Sequence, residues 1–330
     1  MNIKAAIIGM GIGKKHLEAI EGYKNSHVIA ICEKDKKKAI QLKKKYPNKN
    51  IVSNDKEIFQ NKEINLVSIA SYDNFHYKQI IKSIKTKKNI IVEKPICLKK
   101  NELKNIYNLL KKNPKIKITS NLVLRTNDLF LNFKKNINKQ KVLYIEADYI
   151  WGRKYKLSEW RSKIKNYSIT LGAAIHMFDL IMWFLNLRPI SVQAFGSKKG
   201  NTGTLYTKNS LVIYILKFPN NIIVKITANA VAIHNHFHEV RVYQQDKTMV
   251  NSSLGAFSIS KEKPKKIKKI KQRYPDKKNR KKLIQNFIDI LKKNKVKPII
   301  TLKEQIDLMS VCFAADESLK FGKKIIIRYL

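Results

Sequence analysis

Two short stretches carry side chains whose types and spacing suit chemistry on a hydroxyl group. Glu93-Lys94-Pro95 directly follows an apolar run, Ile90-Ile91-Val92, and His176 and Asp179 stand three residues apart within a long apolar segment. Proline after Lys94 keeps that lysine out of helical geometry and fixes the bend. A lysine held at a strand end can hydrogen-bond a hydroxyl and stabilise the alkoxide that develops as its proton leaves. An imidazole, neutral near about pH 7, is a side chain able to exchange protons. The plainer readings are a surface lysine in a lysine-rich chain and a core histidine on an apolar helix. Asp179 on the same helical face weakens the second of these, because it can bind another hydroxyl or orient the site.

A third stretch can bind phosphate without any side chain. In Gly9-Met10-Gly11-Ile12-Gly13 a short apolar run, Ile3 to Ile8, breaks at glycines and restarts as a helical pattern. Free backbone N–H groups at such a helix start form a pyrophosphate site. The chain has 11 glycines, and three within five residues argue for a backbone requirement. The spacing is G-x-G-x-G, one residue shorter than the usual G-x-G-x-x-G. Glu33 ends the next strand pattern about 20 residues on, where a carboxylate can accept hydrogen bonds from both hydroxyls of a ribose. Its alternative is a solvated turn acid.

Other candidates are less specific. Arg161 can hold a phosphate or carboxylate through two parallel hydrogen bonds, or form a surface ion pair. Trp160 suits the core better than a stacking platform. His234, His236 and His238 alternate, so on a strand they share one face. They form a possible metal cluster, but no cysteine or carboxylate completes it, and a substrate-facing polar strand is the preferred reading. No metal is expected.

The elements that must position these residues fall into two patterns. Strands are expected at residues 3–8, 28–32, 66–70, 89–92 and 116–120, with helices at 14–23, 35–45, 75–85 and 98–112 between them. Such alternation implies parallel strands with crossover helices, a doubly wound sheet whose ligands lie at the strands' carboxyl ends. Past residue 120 come longer, alternating strands at 142–149, 190–196, 210–218, 222–230 and 239–243, with a hairpin turn at Pro219-Asn220-Asn221. An open, largely antiparallel sheet fits, with a helix inserted at 172–186 and closing helices at 279–293 and 301–321. Residues 261–282, rich in lysine and holding Pro264 and Pro275, are expected to be a solvated loop. The expected domains are 1–120 and 121–330.

A chain of 330 residues can bury a large core, and 44% hydrophobic residues make it globular. The net charge of +44 would ordinarily suggest nucleic acid or an anionic membrane surface. Here lysines are spread over nearly every helix without a recognisable nucleic-acid module. The excess reads as a general drift toward Lys, Ile and Asn that still attracts anionic ligands at low salt. Cys32, Cys97 and Cys312 fit neither a metal spacing nor a disulfide ladder, so reduced thiols in a cytoplasmic protein are expected. No signal peptide is expected, and Asp179 in the longest apolar segment argues against a membrane span.

Taken in order, Gly9-x-Gly11, Glu93-Lys94-Pro95, Trp160-Arg161 and His176-x-x-Asp179 resemble the family of glucose–fructose oxidoreductase, inositol dehydrogenase and MocA. The segment from Phe287 through Ser318, and Gly322 onward, is also similar to it. The resemblance covers essentially the whole chain and implies a Rossmann domain followed by an α/β domain that commonly associates through its open sheet. It implies a nicotinamide-dependent oxidoreductase acting on a secondary alcohol or ketone of a sugar, cyclitol or nucleotide sugar. By the same resemblance Lys94 touches the reacting hydroxyl, and His176 exchanges its proton across the nicotinamide from Lys94. Ser71, His76, Glu93 and Asn121 lie along the cofactor, while Arg125, Trp160, Arg161 and Asp179 approach the substrate. NAD is favoured because Glu33 repels a 2′-phosphate, although NADP stays open through Lys34. A homodimer or homotetramer is implied as well.

One departure matters. Several members of that family carry an aspartate four residues before the histidine, where this chain has Gly172. His176 then acts alone with Lys94, or the chain serves as a non-catalytic cofactor or sugar sensor. Nucleic-acid binding driven by charge alone is a third reading.

Overall fold

The computed structural model describes residues 2–272, 274–275 and 278–330. The chain divides into two compact units, Met1–Val123 with Lys278–Gln305, and Leu124–Lys277 with Ile306–Leu330. Sequence and structure agree on the fold class: an α/β chain with a parallel sheet first and a mainly antiparallel sheet second.

The first unit alternates β1 (Ile3–Ile8), α1 (Gly13–Glu21), β2 (Ser26–Cys32), α2 (Lys36–Lys45), β3 (Asn50–Val52), α3 (Asp55–Gln60), β4 (Leu66–Ile69), α4 (Asp73–Lys85), β5 (Asn89–Val92), α5 (Lys100–Lys112) and β6 (Ile118–Ser120). The six strands are all parallel, in the order β3-β2-β1-β4-β5-β6. Strand order reverses between β1 and β4, which opens a crevice at their carboxyl ends. Ile7, Ile31, Leu66 and Ile91 are fully buried, as strands covered on both faces require. The segment 50–60 lay outside the sequence expectation, because three strand residues and six helical ones are too short to establish a period.

In the second unit a short turn, Val123–Thr126, leads to α6 (Asp128–Asn136) and β7 (Val142–Ile150). Asn127 caps α6 by accepting the Leu129 N–H at 3.0 Å. A π turn, Thr170–Ala174, runs directly into α7 (Ile175–Leu185), which ends at Asn186 with φ 50°. Then follow β8 (Ser191–Ser197), β9 (Leu211–Lys217), β10 (Ile223–Asn229), β11 (Phe237–Gln244), β12 (Lys247–Ser252), β13 (Gly255–Ser260) and β14 (Lys263–Lys269). Helix α8 (Lys281–Leu291) is part of the first unit, its Phe287 and Ile288 joining Leu17 and Ile20 of α1 in one core. Helix α9 (Leu302–Phe321) opens on a capping box in which Thr301 and Glu304 bond each other's backbone N–H groups at 3.2 and 2.8 Å. The last strand is β15 (Ile325–Ile326).

The nine strands follow the order β14-β13-β12-β11-β7-β10-β9-β8-β15, antiparallel except where β10 runs parallel to β7. Alternation decides their faces. Val212, Tyr214, Leu216, Val224, Ile226, Ile145, Ala147, Val240 and Val242 are buried. The opposite face leaves Phe195, Ile213, Ile215 and Ile223 exposed beside an ion cluster in which Glu146 meets Lys225 and Arg241 at 3.2 Å each.

Residues 261–282 differ from expectation. Far from a solvated loop, Lys263–Lys269 pairs with β13 as the edge strand β14, and α8 begins at Lys281. All seven residues of β14 are exposed, so no period-two pattern marks them, and Pro264 is tolerated because an edge strand need not donate from every N–H. Arg273, Asp276 and Lys277 of that stretch lie outside the described residues. No helix among the described residues is long and apolar enough to cross a membrane.

Candidate functional site

The glycine loop divides its three tasks clearly despite the short spacing. Gly9 has φ 89°, and a Cβ there would stand 2.6 Å from the carbonyl oxygen of Ala70, just past β4. A Cβ on Gly13 would meet Ile7 Cγ2 at 2.8 Å, so this glycine seats α1 on β1. At Gly11 nothing lies within 4 Å of a Cβ, which leaves open space above the backbone. A tight turn, an open approach and close helix–strand packing are what a dinucleotide pyrophosphate asks of such a loop. The Met10 side chain is buried in the core, so only its backbone faces the loop; Ile12 is exposed.

Glu33 closes one side of this loop. Its Oε2 accepts the Met10 N–H at 3.2 Å and its Oε1 the Asp35 N–H at 3.1 Å, which leaves lone pairs on both oxygens for ribose hydroxyls. Lys34 lies over the Phe75 ring, 4.3 Å from its centroid.

Past β5 the Glu93 carboxylate anchors a buried polar cluster. His16 of α1 bonds Ser68 through Nδ1 at 2.7 Å and Glu93 Oε1 through Nε2 at 2.9 Å. Asn121 Nδ2 donates to the same Glu93 oxygen at 2.6 Å. Burial pushes the Glu93 carboxyl up, but the His16 bond and charge, the Asn121 bond and the Lys94 charge outweigh it and hold it below the usual range. A charged group is therefore fixed immediately before the half-buried Lys94. His16 and Ser68 were not among the sequence candidates; the one available signal was a histidine on the apolar face of α1.

His76 is fully buried, its ring nitrogens 2.7 Å from the Pro95 carbonyl and 3.0 Å from that of Ser71. It ties the loop after β4 to the Glu93-Lys94-Pro95 turn. Ser71 donates to Gln79 at 2.7 Å.

In the second unit His176 meets an aromatic and imidazole cluster. Tyr149 of β7 stacks on it with ring centroids 5.8 Å apart and planes 7° apart. His238 stands opposite Tyr149 in the β7–β11 pairing, which brings the two rings to 4.7 Å. His236 lies 4.9 Å from His238 and 5.2 Å from Tyr149, and Tyr274 hydrogen-bonds His238 Nδ1. The expectation of three histidines on one strand face is corrected here. Only His238 belongs to β11, while His234 turns aside to the Asn235 carbonyl at 2.6 Å. Among the described residues no group of three or more His, Cys, Asp or Glu side chains is arranged for a metal ion.

Arg125 and Asp179 are brought together, each almost wholly buried. Nε reaches both carboxylate oxygens at 3.1 Å and Nη2 reaches Oδ1 at 2.7 Å. Removing one partner of such a pair typically costs about 3–5 kcal/mol, because the other charge is left in the interior. Arg161 lies over two rings, 4.2 Å from the Trp160 centroid and 5.2 Å from that of Trp151, with Glu159 at 3.5 Å.

Gly172 has a packing cause. A Cβ there would stand 2.0 Å from the Tyr167 hydroxyl and 2.5 Å from its Cζ. Tyr167 is buried and wedged edge-on between Trp160 and Tyr206, so it cannot step aside at little cost. The phenol fills the volume that any side chain at 172 would need.

The comparisons with known proteins bear on this arrangement. The sequence model of the GFO/IDH/MocA oxidoreductase family, NAD-binding Rossmann fold, matches residues 3–121, and the model of its C-terminal domain matches residues 141–250. The chain belongs to the GFO/IDH/MocA oxidoreductase family. It is 23% identical over 269 residues to an uncharacterized oxidoreductase of Synechocystis sp., spanning 76% of this chain and 72% of that protein. Solved structures that share its fold include two inositol dehydrogenases. Myo-inositol 2-dehydrogenase from Lactobacillus plantarum is 19% identical with a TM-score of 0.84, over 99% of this chain and 100% of that one. Scyllo-inositol dehydrogenase from Lactobacillus casei, with bound NAD(H) and scyllo-inositol, is 18% identical with a TM-score of 0.81, over 99% of both. A GFO/IDH/MocA chain with Gly172 thus keeps the fold while filling that position with a tyrosine from the preceding loop.

Gly172→Ala is expected to destabilise the protein by about 1–3 kcal/mol, as overpacking does. Denaturant unfolding of Gly172→Ala, Tyr167→Leu and the double variant checks this. The alanine should cost much less once Tyr167 is shortened, and strictly additive values would contradict the overlap.

Proposed function

We propose that this chain is an NAD-dependent dehydrogenase that oxidises a secondary alcohol of a cyclitol or sugar. The observation that carries the reading is the loop of Gly9, Gly11 and Gly13, open at Gly11 and flanked by the Glu33 carboxylate. Bound NAD would supply the hydride acceptor. Gly9, Met10, Gly11, Ile12 and Gly13 would hold its pyrophosphate through backbone, Glu33 its adenosine ribose, and Ser71, Glu93, Lys94 and Asn121 its other half, with His76 supporting that loop. Lys94 would hydrogen-bond the reacting hydroxyl oxygen and His176 would take its proton. Trp160, Arg161 and the imidazoles of His236 and His238 would meet the remaining hydroxyls, with Arg125 and Asp179 stiffening the base of α7. The cyclitol class is supported by the inositol dehydrogenases that share the fold.

Glu33 repels a 2′-phosphate, and Lys34 is already engaged by Phe75. NADH should therefore raise the melting temperature more than equal NADPH, and the opposite order would sink the cofactor assignment. Lys94→Ala and His176→Ala should each abolish turnover on a panel of inositols and free sugars while NADH affinity stays within roughly threefold. Wild-type turnover in both variants would remove the proposed chemistry, and cofactor binding with no turnover by the wild type would favour a sensor.

A homodimer or homotetramer and a cytoplasmic location complete the proposal. Three buried free cysteines support the location, burial pushing the Cys32 thiol up to about 12. Phe195, Ile213, Ile215 and Ile223 support association through the open sheet face. Light scattering should give a multiple of the 38.4 kDa chain mass. Ile215→Glu should lower it, and an unchanged mass would place the interface elsewhere.

A further inference from the structure

A second polar cluster lies beneath the start of α7, and the proposed chemistry does not use it. Asp316 of α9 accepts a hydrogen bond from Ser168 Oγ at 2.8 Å, and the Thr170 hydroxyl also lowers the cost of its charge. Thr170 Oγ1 also lies 2.9 Å from Tyr214 Oη. Ser168 in turn accepts the Leu171 N–H through Oγ at 3.2 Å and the Gly172 N–H through its carbonyl at 2.9 Å. Ser168 thus ends the loop and begins the π turn, and its hydroxyl direction is set by Asp316.

The groups facing this carboxylate come from every neighbouring element. Tyr214 belongs to β9, Tyr206 and Lys208 to the β8–β9 connection, and Cys312 stands one turn earlier on α9. Lys208 Nζ is held by the carbonyls of Lys165 and Tyr167, the latter at 2.7 Å, so its charge acts on Asp316 without a direct bond. Burial pushes the Asp316 carboxyl up to about 6, against the pull of Thr170, Ser168 and Lys208.

We propose that Asp316 is a positioning residue for His176: through Ser168 it sets the π turn from which α7 departs, and its charge makes that turn responsive to pH. The proposal rests on the reading of His176 as the group that takes the hydroxyl proton. The sign follows from linkage. An acid whose folded value of about 6 exceeds its ordinary 3.8 stabilises the closed turn fully below the lower value and loses that stabilisation as pH rises through the upper one. At neutral pH the closed turn encloses an anion that water would solvate better, and opening is correspondingly easier. An amide would fill the same space without that cost, so a carboxylate beside the π turn points to use.

Amide hydrogen exchange on the full chain, without cofactor or substrate, tests this separately from the dehydrogenase assignment. In the wild type, opening of amides 171–178 should grow roughly tenfold from about pH 5 to about pH 8 beyond the intrinsic exchange rate, while β12 stays level. Asp316→Asn should abolish the rise and leave the segment more protected at the higher pH. Ser168→Ala, which removes one donor to the anion, should move the midpoint upward. A flat wild-type profile, an equal rise in β12, or a rise that survives Asp316→Asn would overturn the proposal. With the exchange result in hand, Asp316→Asn should lower kcat and leave KM for NAD unchanged even as stability at about pH 8 increases, a split that a purely structural residue would not produce.

Discussion

The first unit depends on how closely two backbones approach at the end of β1. Gly9 brings the chain so near Ala70 that a single methyl group would overlap a carbonyl oxygen, and its φ of 89° is one that other residues rarely adopt. This contact lies where strand order reverses, the point at which a doubly wound sheet opens a crevice between the loops leaving its strands. Gly13 then lets α1 settle against Ile7, which buries Leu17 and Ile20 and offers a face for Phe287 and Ile288 of α8. A tight backbone turn and a helix-packing interface thus follow from the same two missing side chains.

The second unit handles a different difficulty, how to hold polar groups inside an apolar sheet-and-helix sandwich. Arg125 and Asp179 satisfy one another, Ser168 donates to Asp316, and the Thr170 and Tyr214 hydroxyls bond each other. Tyr149 and His238 face each other because antiparallel register places them opposite, and His176 stacks on that pair. Each cluster joins the α7 region to a different neighbour: the turn before α6, helix α9, or strands β7 and β11. The direction of α7 is therefore fixed from three sides at once.

Much of this was legible in the sequence where a periodic pattern is long. The parallel strands 3–8 and 89–92 and the helix 36–45 stand within a residue of expectation, because buried Ile and Val runs and an Asp35 cap leave few alternatives. The loop glycines were readable as a backbone demand, although the chain alone could not say that Gly11 is the open one. What stayed hidden depends on partners distant in sequence. Nothing local pairs Arg125 with Asp179, lines up His16 with Glu93, or sets Asp316 under Ser168, since each contact spans more than 50 residues. Gly172 read as a lost acid, yet its neighbour Tyr167 supplies the physical reason for it.

The lysine excess also takes on a definite meaning at one place. Lys263, Lys265, Lys266, Lys268 and Lys269 all lie on β14, the outermost strand beyond β13. An edge strand presents unpaired backbone groups to any passing chain, and charged side chains with a proline are the usual means of keeping it single. A strand of this composition would have no apolar face to bury elsewhere in the sheet, so it is stable only at the edge, held by β13 on one side and by water on the other. The same charge that hides β14 from a periodicity search therefore fixes where in the sheet it can sit.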